Sequence, residues 1–314
     1  MPVTLLGPQR LQPTLNHAVA DVDRRVGGRG MLAVVTAGWE ERELEIQELD
    51  EHVGGRALNL EVYCRVEDIF AHDKELLGLM RERHDTLRAL QELYRVRLAH
   101  ELAAVRDLYA RADGQPGASL LEPEVDAAIE AVRVLDARHL ARVDEVHREF
   151  EARMQPTQRP HVRKHRQQIA EILKRCTALC IAGGHVGVLL HRLRLFDVFG
   201  LHGARPIIAW SAGAMVCGER VVLFHDSPPQ GPGDAEVYDR GFGLVPGVVP
   251  LPHARRRLRL DDRRRVGLFA RRFAPAQAVA LDERTRVDWS DGRLEVHGGT
   301  RTLRHDGSVV EGAA

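Results

Sequence analysis

Three short runs of almost wholly apolar residues, each ended by small residues, constrain this chain more than any other feature. Met31-Leu32-Ala33-Val34-Val35-Thr36 stops at Ala37-Gly38, Leu179-Cys180-Ile181-Ala182 stops at Gly183-Gly184, and Pro206-Ile207-Ile208-Ala209 runs into Trp210-Ser211-Ala212-Gly213. A strand without polar–apolar alternation is buried on both faces, as strands are in parallel sheets covered by helices on each side. Helical patterns over residues 40–52, 167–175 and 188–199 lie between, and a further strand is expected over residues 57–63, after Gly54-Gly55. Strand, helix and strand thus alternate. This predicts an α/β fold, a three-layer sandwich with a mostly parallel sheet.

Residues 73–153 break the alternation. They are rich in Arg, Glu, Ala and Leu and carry almost no strand signal. Leu87, Leu90, Tyr94, Leu98, Leu102, Val105 and Leu108 step by three or four, as one face of a helix requires. Asp113-Gly114-Gln115-Pro116-Gly117 is a turn signal, and Val125, Ile129, Val132, Leu135, Val143, Val146 and Phe150 form a second helical series. The expectation is one α/β domain over 1–314 with a helical hairpin, 73–153, inserted in it. The hairpin reads as a lid, as an arm for a homodimer, or as a packed structural excursion. Near its end, His161 and His165 share a helix face; the arginines and lysine around them favour a solvated basic surface over a metal pair. Asp291-Gly292 and Asp306-Gly307 are hairpin signals near the C-terminus.

Composition excludes several classes of function. Lys plus Arg and Asp plus Glu both total 45, so net charge gives no reason to expect nucleic acid or an anionic membrane as partner. No apolar run approaches the roughly 20 residues that cross a bilayer. The first residues do not read as a leader peptide, so the expected chain is soluble and cytoplasmic. Cys64, Cys176, Cys180 and Cys217 are too few and scattered for a disulfide framework, and Cys176 and Cys180 read as buried thiols. The arginine-rich run of residues 255–265 contains Asp261 and Asp262 and no interleaved aromatic rings, so a helix with internal ion pairs is expected there.

Ser211 follows an apolar strand directly and precedes Ala212-Gly213-Ala214, small residues that permit a sharp strand-to-helix turn. Such a turn lifts the serine oxygen above the sheet and aims the first helical N–H groups at a forming oxyanion. In a parallel sheet the Gly183-Gly184 loop emerges on the same edge. Gly184 and Ala212 are therefore candidates for the two N–H donors of an oxyanion hole.

The segment Trp210-Ser211-Ala212-Gly213-Ala214 resembles the elbow of dipeptidase E. The order Gly-Gly loop, serine elbow, Pro-His and Asp-Glu is similar to that of the serine peptidase family containing dipeptidase E and cyanophycinase. The resemblance covers residues 179–299 well and residues 6–63 loosely, and leaves the hairpin out. It implies a class I glutamine amidotransferase-like fold with a serine nucleophile. Cys217, six residues into the helix, lies too far along to take that part. The family's histidine falls on His253 in Leu251-Pro252-His253 and its acid on Glu283, with Asp282 as a rival acid and His225 as a lesser rival base. Asp226 resembles the aspartate with which dipeptidase E holds its substrate's amino group. Arg257 and Arg259 match arginines lining the cyanophycinase substrate site, and the resemblance makes them candidates to grip a substrate carboxylate by paired hydrogen bonds.

Two departures bear on substrate. His185 stands where the family has asparagine or glutamine, and Leu251 replaces a polar residue before Pro-His; both positions shape the pocket. The reading is thus a hydrolase cleaving an amide bond in a small peptide or peptide-like substrate through Ser211, His253 and Glu283, with no cofactor and no metal. Its rivals are a catalytically silent binding protein of the same fold and an esterase or amidase using the same triad.

Overall fold

The computed structural model describes residues 1–112 and 118–312. The first half runs β1 (Val3–Leu6), α1 (Leu15–Val26), β2 (Met31–Val35), α2 (Gln47–His52), β3 (Ala57–Asn59), α3 (Val62–His72), α4 (Lys74–Ala112), α5 (Ala118–Met154) and α6 (Pro160–Lys174). There follow β4 (Cys176–Ile181), α7 (Val186–Phe196), α8 (Val198–His202), β5 (Ile207–Trp210), α9 (Ala212–Cys217), β6 (Arg220–Leu223), β7 (Glu236–Arg240) and β8 (Val248–Pro252). The chain ends with α10 (Ala254–Arg257), α11 (Arg263–Phe273), β9 (Gln277–Leu281), β10 (Arg286–Ser290), β11 (Arg293–Val296), β12 (Arg301–Leu303) and β13 (Val309–Glu311).

The central sheet has the order β11-β10-β1-β5-β4-β2-β3. β1, β5, β4, β2 and β3 are parallel, and β10 and β11 extend the β1 edge antiparallel. The alternating sides of these strands feed two separate cores. Leu6, Leu32, Val34, Cys180, Ile208 and Trp210 pack with Leu15, Val19 and Val22 of α1. Leu5, Ala33, Val35, Leu179, Ile181 and Ala209 join the larger core on the opposite face, with α3, α6, α7 and α9. Apolar residues on both sides of one strand force two helical layers, so the fold is the three-layer α/β sandwich expected. A second sheet, β13-β12-β9-β8, holds β8 and β9 side by side and parallel, and β6 and β7 form a separate antiparallel ribbon.

The hairpin helices contain 39 and 37 residues. Their inner faces, including Leu98, Leu102, Ile129 and Val132, belong to the same contiguous core as the sheet. The expected turn over residues 113–117 lies outside the described residues.

Several local expectations are corrected. Residues 40–52 do not make one helix: Glu40 takes φ 58°, and only Gln47–His52 is α-helical. The expected strand over 57–63 ends at Asn59, because the buried Glu43 carboxylate accepts the N–H groups of Tyr63 and Cys64 and so caps α3. The helix from 188 to 199 breaks at Asp197, which takes φ 46°. The arginine-rich run is two helices, with Asp262 capping α11 by accepting from Arg264 and Arg265 N–H rather than pairing along one helix. His165 is buried, not solvated; its Nε2 lies 2.8 Å from Asp68 Oδ2.

Candidate active site

Parallel strands all emerge at one edge of their sheet, and the candidate residues sit on the loops at those ends. β5 ends at Trp210, and Ser211 turns the chain into α9 with φ 54° and ψ −123°. This is a conformation that non-glycine residues rarely hold, and such strain concentrates at functional sites. The turn is tight because Gly183 abuts it. A Cβ added to Gly183 would stand 2.8 Å from Ser211 Cβ, 3.0 Å from its Oγ and 3.4 Å from Ala212 N. Only a residue without a side chain leaves the space over the serine and the Ala212 amide open. Gly184 takes φ +110°, beside the Gly38 carbonyl, which accepts the His185 N–H at 2.7 Å. Ala212 is the first residue of α9, so its N–H has no acceptor within the helix.

His253 reaches the serine from the second sheet. It follows β8 in a left-handed conformation, φ 58° and ψ 34°, and its N–H donates to the Leu281 carbonyl of β9. Its Nε2 lies 3.4 Å from Ser211 Oγ, the outer range at which a hydroxyl donates to a neutral imidazole. Burial, and after it the Arg257 guanidinium, hold the ring's pKa below the ordinary histidine value, against the opposing pull of Glu283 and Asp282. A neutral ring is the form that accepts a proton.

Because β8 and β9 are paired and parallel, with Pro252 opposite Leu281, His253 and the Asp282-Glu283 turn leave the sheet together. The two carboxylates differ in occupation. Asp282 is buried; its Oδ1 accepts the Arg255 N–H at 3.0 Å and its Oδ2 accepts from Arg301 Nη2 at 2.8 Å. Glu283 is exposed, and of the two it acts more strongly on the His253 charge. Among the described residues neither is within hydrogen-bond distance of the ring. The structure thus brings Ser211 and His253 together and leaves both candidate carboxylates at longer range.

Asp226 stands differently from the expectation. It is buried, its Oδ1 accepts from Arg265 Nη2 at 2.7 Å and its Oδ2 from Arg259 N–H at 2.8 Å, and its own N–H donates to the Arg257 carbonyl. Both oxygens are occupied by the chain, which ties down the loop after His253. Arg257 Cζ lies 5.9 Å from the Phe224 ring centroid, and Arg259 is exposed. His185 is exposed too; its Nδ1 accepts the Val188 N–H and caps α7. Beside it opens a cleft of about 690 Å³. Sequence reasoning missed Arg301 and Gly38: nothing local marks Arg301, whereas Gly38 was visible only as the end of a strand.

A model of peptidase family S51 matches residues 131–297, more than half of the chain. Among solved structures, the chain is similar to a peptidase from an acI-B1 Actinobacterium at 13% identity and TM-score 0.50, covering 100% of this chain and 95% of that one. It also overlaps a protein assigned to peptidase E from Listeria monocytogenes EGD-e, at 14% identity and TM-score 0.30, over 42% of this chain and 64% of that one. No curated protein gives a significant match.

Proposed function

Because this chain belongs to peptidase family S51, it is a serine-type peptidase, and we propose that Ser211 is its nucleophile, His253 its general base and Glu283 the carboxylate that supports the histidine. The observation that carries this reading is the strained Ser211, 3.4 Å from His253, whose pKa burial holds below the ordinary histidine value. His253 Nε2 takes the hydroxyl proton as Ser211 Oγ attacks the peptide carbonyl carbon. The oxyanion forms at the N–H groups of Gly184 and Ala212. The imidazolium then returns the proton to the leaving amine, and water, deprotonated by the same ring, releases the acid and frees the serine. Glu283 stabilises the imidazolium through its charge.

The proposed substrate is a short peptide or peptide-like amide, met by the chain as a single unit in the cytoplasm, with residues 73–153 as an insertion. In this reading Arg257, whose charge acts on His253, contacts the substrate. Asp226 holds Arg265 and the loop in place, which supports a structural part for it rather than a grip on a substrate amine. No cofactor enters this scheme.

Labelling with a fluorophosphonate tests the reading. Wild type should be labelled covalently, and Ser211→Ala should not. His253→Ala should be labelled at least about a thousandfold more slowly while keeping its fold, since members of a triad act as a unit. Equal labelling of wild type and Ser211→Ala would move the nucleophile elsewhere.

A further inference from the structure

The cleft of about 690 Å³ lies between α4 of the hairpin and α7, with Tyr238 of β7 in its wall. Three of the groups facing it lack a full set of partners among the described residues. Arg83 is 8% exposed and its guanidinium lies 4.1 Å above the Phe150 ring, yet among the described residues no hydrogen bond or ion pair reaches it. Arg194 and Arg192 repel its charge, and Glu151 and Asp239 offset this only at a distance, Asp239 being bound by His147 and Arg194. Arg192 gives Nη2 to Glu67 at 2.9 Å, while its Nε is buried without a partner. The Nδ1 of His191 is likewise buried and unpartnered.

We propose that this cleft binds the anionic group of a small ligand, a carboxylate or a phosphate, with Arg83 and Arg192 as its donors. A buried cation held only against an aromatic face lacks most of the solvation it had in water. Water in the cleft can solvate the N–H groups but does not neutralise the charge. A carboxylate or phosphate does both, because its paired oxygens match the guanidinium fork. The cleft is cationic on balance, with Lys74, Arg81, Arg83 and Arg192 against Glu67 and Asp85, and Glu67 is already taken. Its rim includes His185, held to Gly38 beside Gly184. The site therefore adjoins the serine loop without depending on the hydrolytic reading.

Calorimetric and thermal-unfolding titrations of the full chain with succinate and with inorganic phosphate, against chloride at matched ionic strength, test it. Wild type should bind succinate or phosphate saturably and unfold at higher temperature in its presence. Arg83→Met, which keeps an apolar stem on Phe150, should weaken binding at least about tenfold and, without anion, unfold no earlier than wild type, since it removes an unpaired buried charge. Arg83→Lys, which keeps the charge and loses the fork, should fold as wild type and also bind about tenfold more weakly. Ser211→Ala should bind as wild type does, so failure of the hydrolase reading and of this site are separate results. Where succinate raises KM for a cleaved peptide, the anion is the substrate's own acid group; where it changes kcat alone, the anion is a free effector. Binding no stronger than that of chloride, or unchanged in both Arg83 variants, overturns the proposal.

Discussion

The serine corner and the seam under the hairpin are built on opposite principles. At the seam, Arg272 of α11 gives Nε and Nη2 to the two oxygens of Asp136 at 2.7 and 2.8 Å, and Nη2 also donates to Tyr94 Oη at 2.8 Å. Tyr94 donates to Asp136 at 2.7 Å and accepts the Val237 N–H, and Arg272 Nη1 donates to the Ala235 carbonyl. All three side chains are buried, so one network joins both hairpin helices to α11 and to β7. At the serine corner, two half-buried residues with positive φ meet through one contact of 3.4 Å. Side-chain saturation holds the molecule together at one place; at the other, strained backbone sets Ser211, the proposed nucleophile, against a single side-chain partner. Substitutions in the two regions should accordingly fail in different assays.

The largest effect on stability is expected at the seam. Arg272→Met leaves Asp136 buried without its cation and should lower unfolding stability by about 3–5 kcal/mol in denaturant titration. Combining it with Asp136→Leu should restore most of that loss, because no buried charge remains. A single variant as stable as wild type would show that the network does not dock the hairpin.

Gly183→Ala should do the reverse. The new methyl meets Ser211 Cβ at 2.8 Å, so the serine must shift. Labelling or turnover should fall on the order of a hundredfold, as for a small misplacement of reacting groups, while the crowding costs less stability, about 1–3 kcal/mol, than the loss of Arg272. Retained activity would mean that the elbow tolerates a neighbour it has no room for.

A smaller effect separates the two regions at Asp226. Asp226→Asn weakens the bond to Arg265 and should cost about 1–2 kcal/mol of stability. The ratio of rates on free and N-acetylated versions of a cleaved dipeptide should stay as in wild type. A ratio that collapses in the variant would return Asp226 to the part of substrate anchor.

What the sequence made legible follows the same division. The elbow and the Gly-Gly loop depend on neighbours a few residues away, so small residues after an apolar run were enough to single out Ser211 and Gly183-Gly184, whereas His253 was reached only through the resemblance of Leu251-Pro252-His253 to the family's Pro-His. The hairpin was legible from its period alone. The partners of Asp226 and Asp282 were not, because Arg265 and Arg301 reach them from other elements and only the packing of α11 and β12 decides which arginine arrives. The same holds for Arg83, which reads in sequence as one more charge on a long helix and in the structure faces a cleft. The break in the expected helix over residues 40–52 has a local cause that composition hides: Glu43 turns inward to cap α3.

The finest test concerns the proposed carboxylate partner of His253, because Glu283 and Asp282 are adjacent and differ in side-chain length and in what they touch. Protonated His253 cannot take the serine proton, so the rate of fluorophosphonate labelling should rise with pH along its acid limb. Burial and Arg257 depress the ring's pKa, so the limb's midpoint should lie below the ordinary value of 6.5. Arg257→Gln removes a repelling cation, favours the imidazolium and should move the midpoint up. Glu283→Gln removes an attracting anion and should move it down; if Glu283 also stabilises the imidazolium formed in the reaction, the plateau rate falls as well. Asp282→Asn should move the midpoint down by less, since Asp282 is the weaker of the two influences on the ring, and should instead lower the unfolding midpoint as Arg301 and Arg255 lose their acceptor. A plateau that falls for Asp282→Asn and not for Glu283→Gln would assign the carboxylate's part to Asp282, and a midpoint above 6.5 in wild type would show that the ring is not held neutral at all.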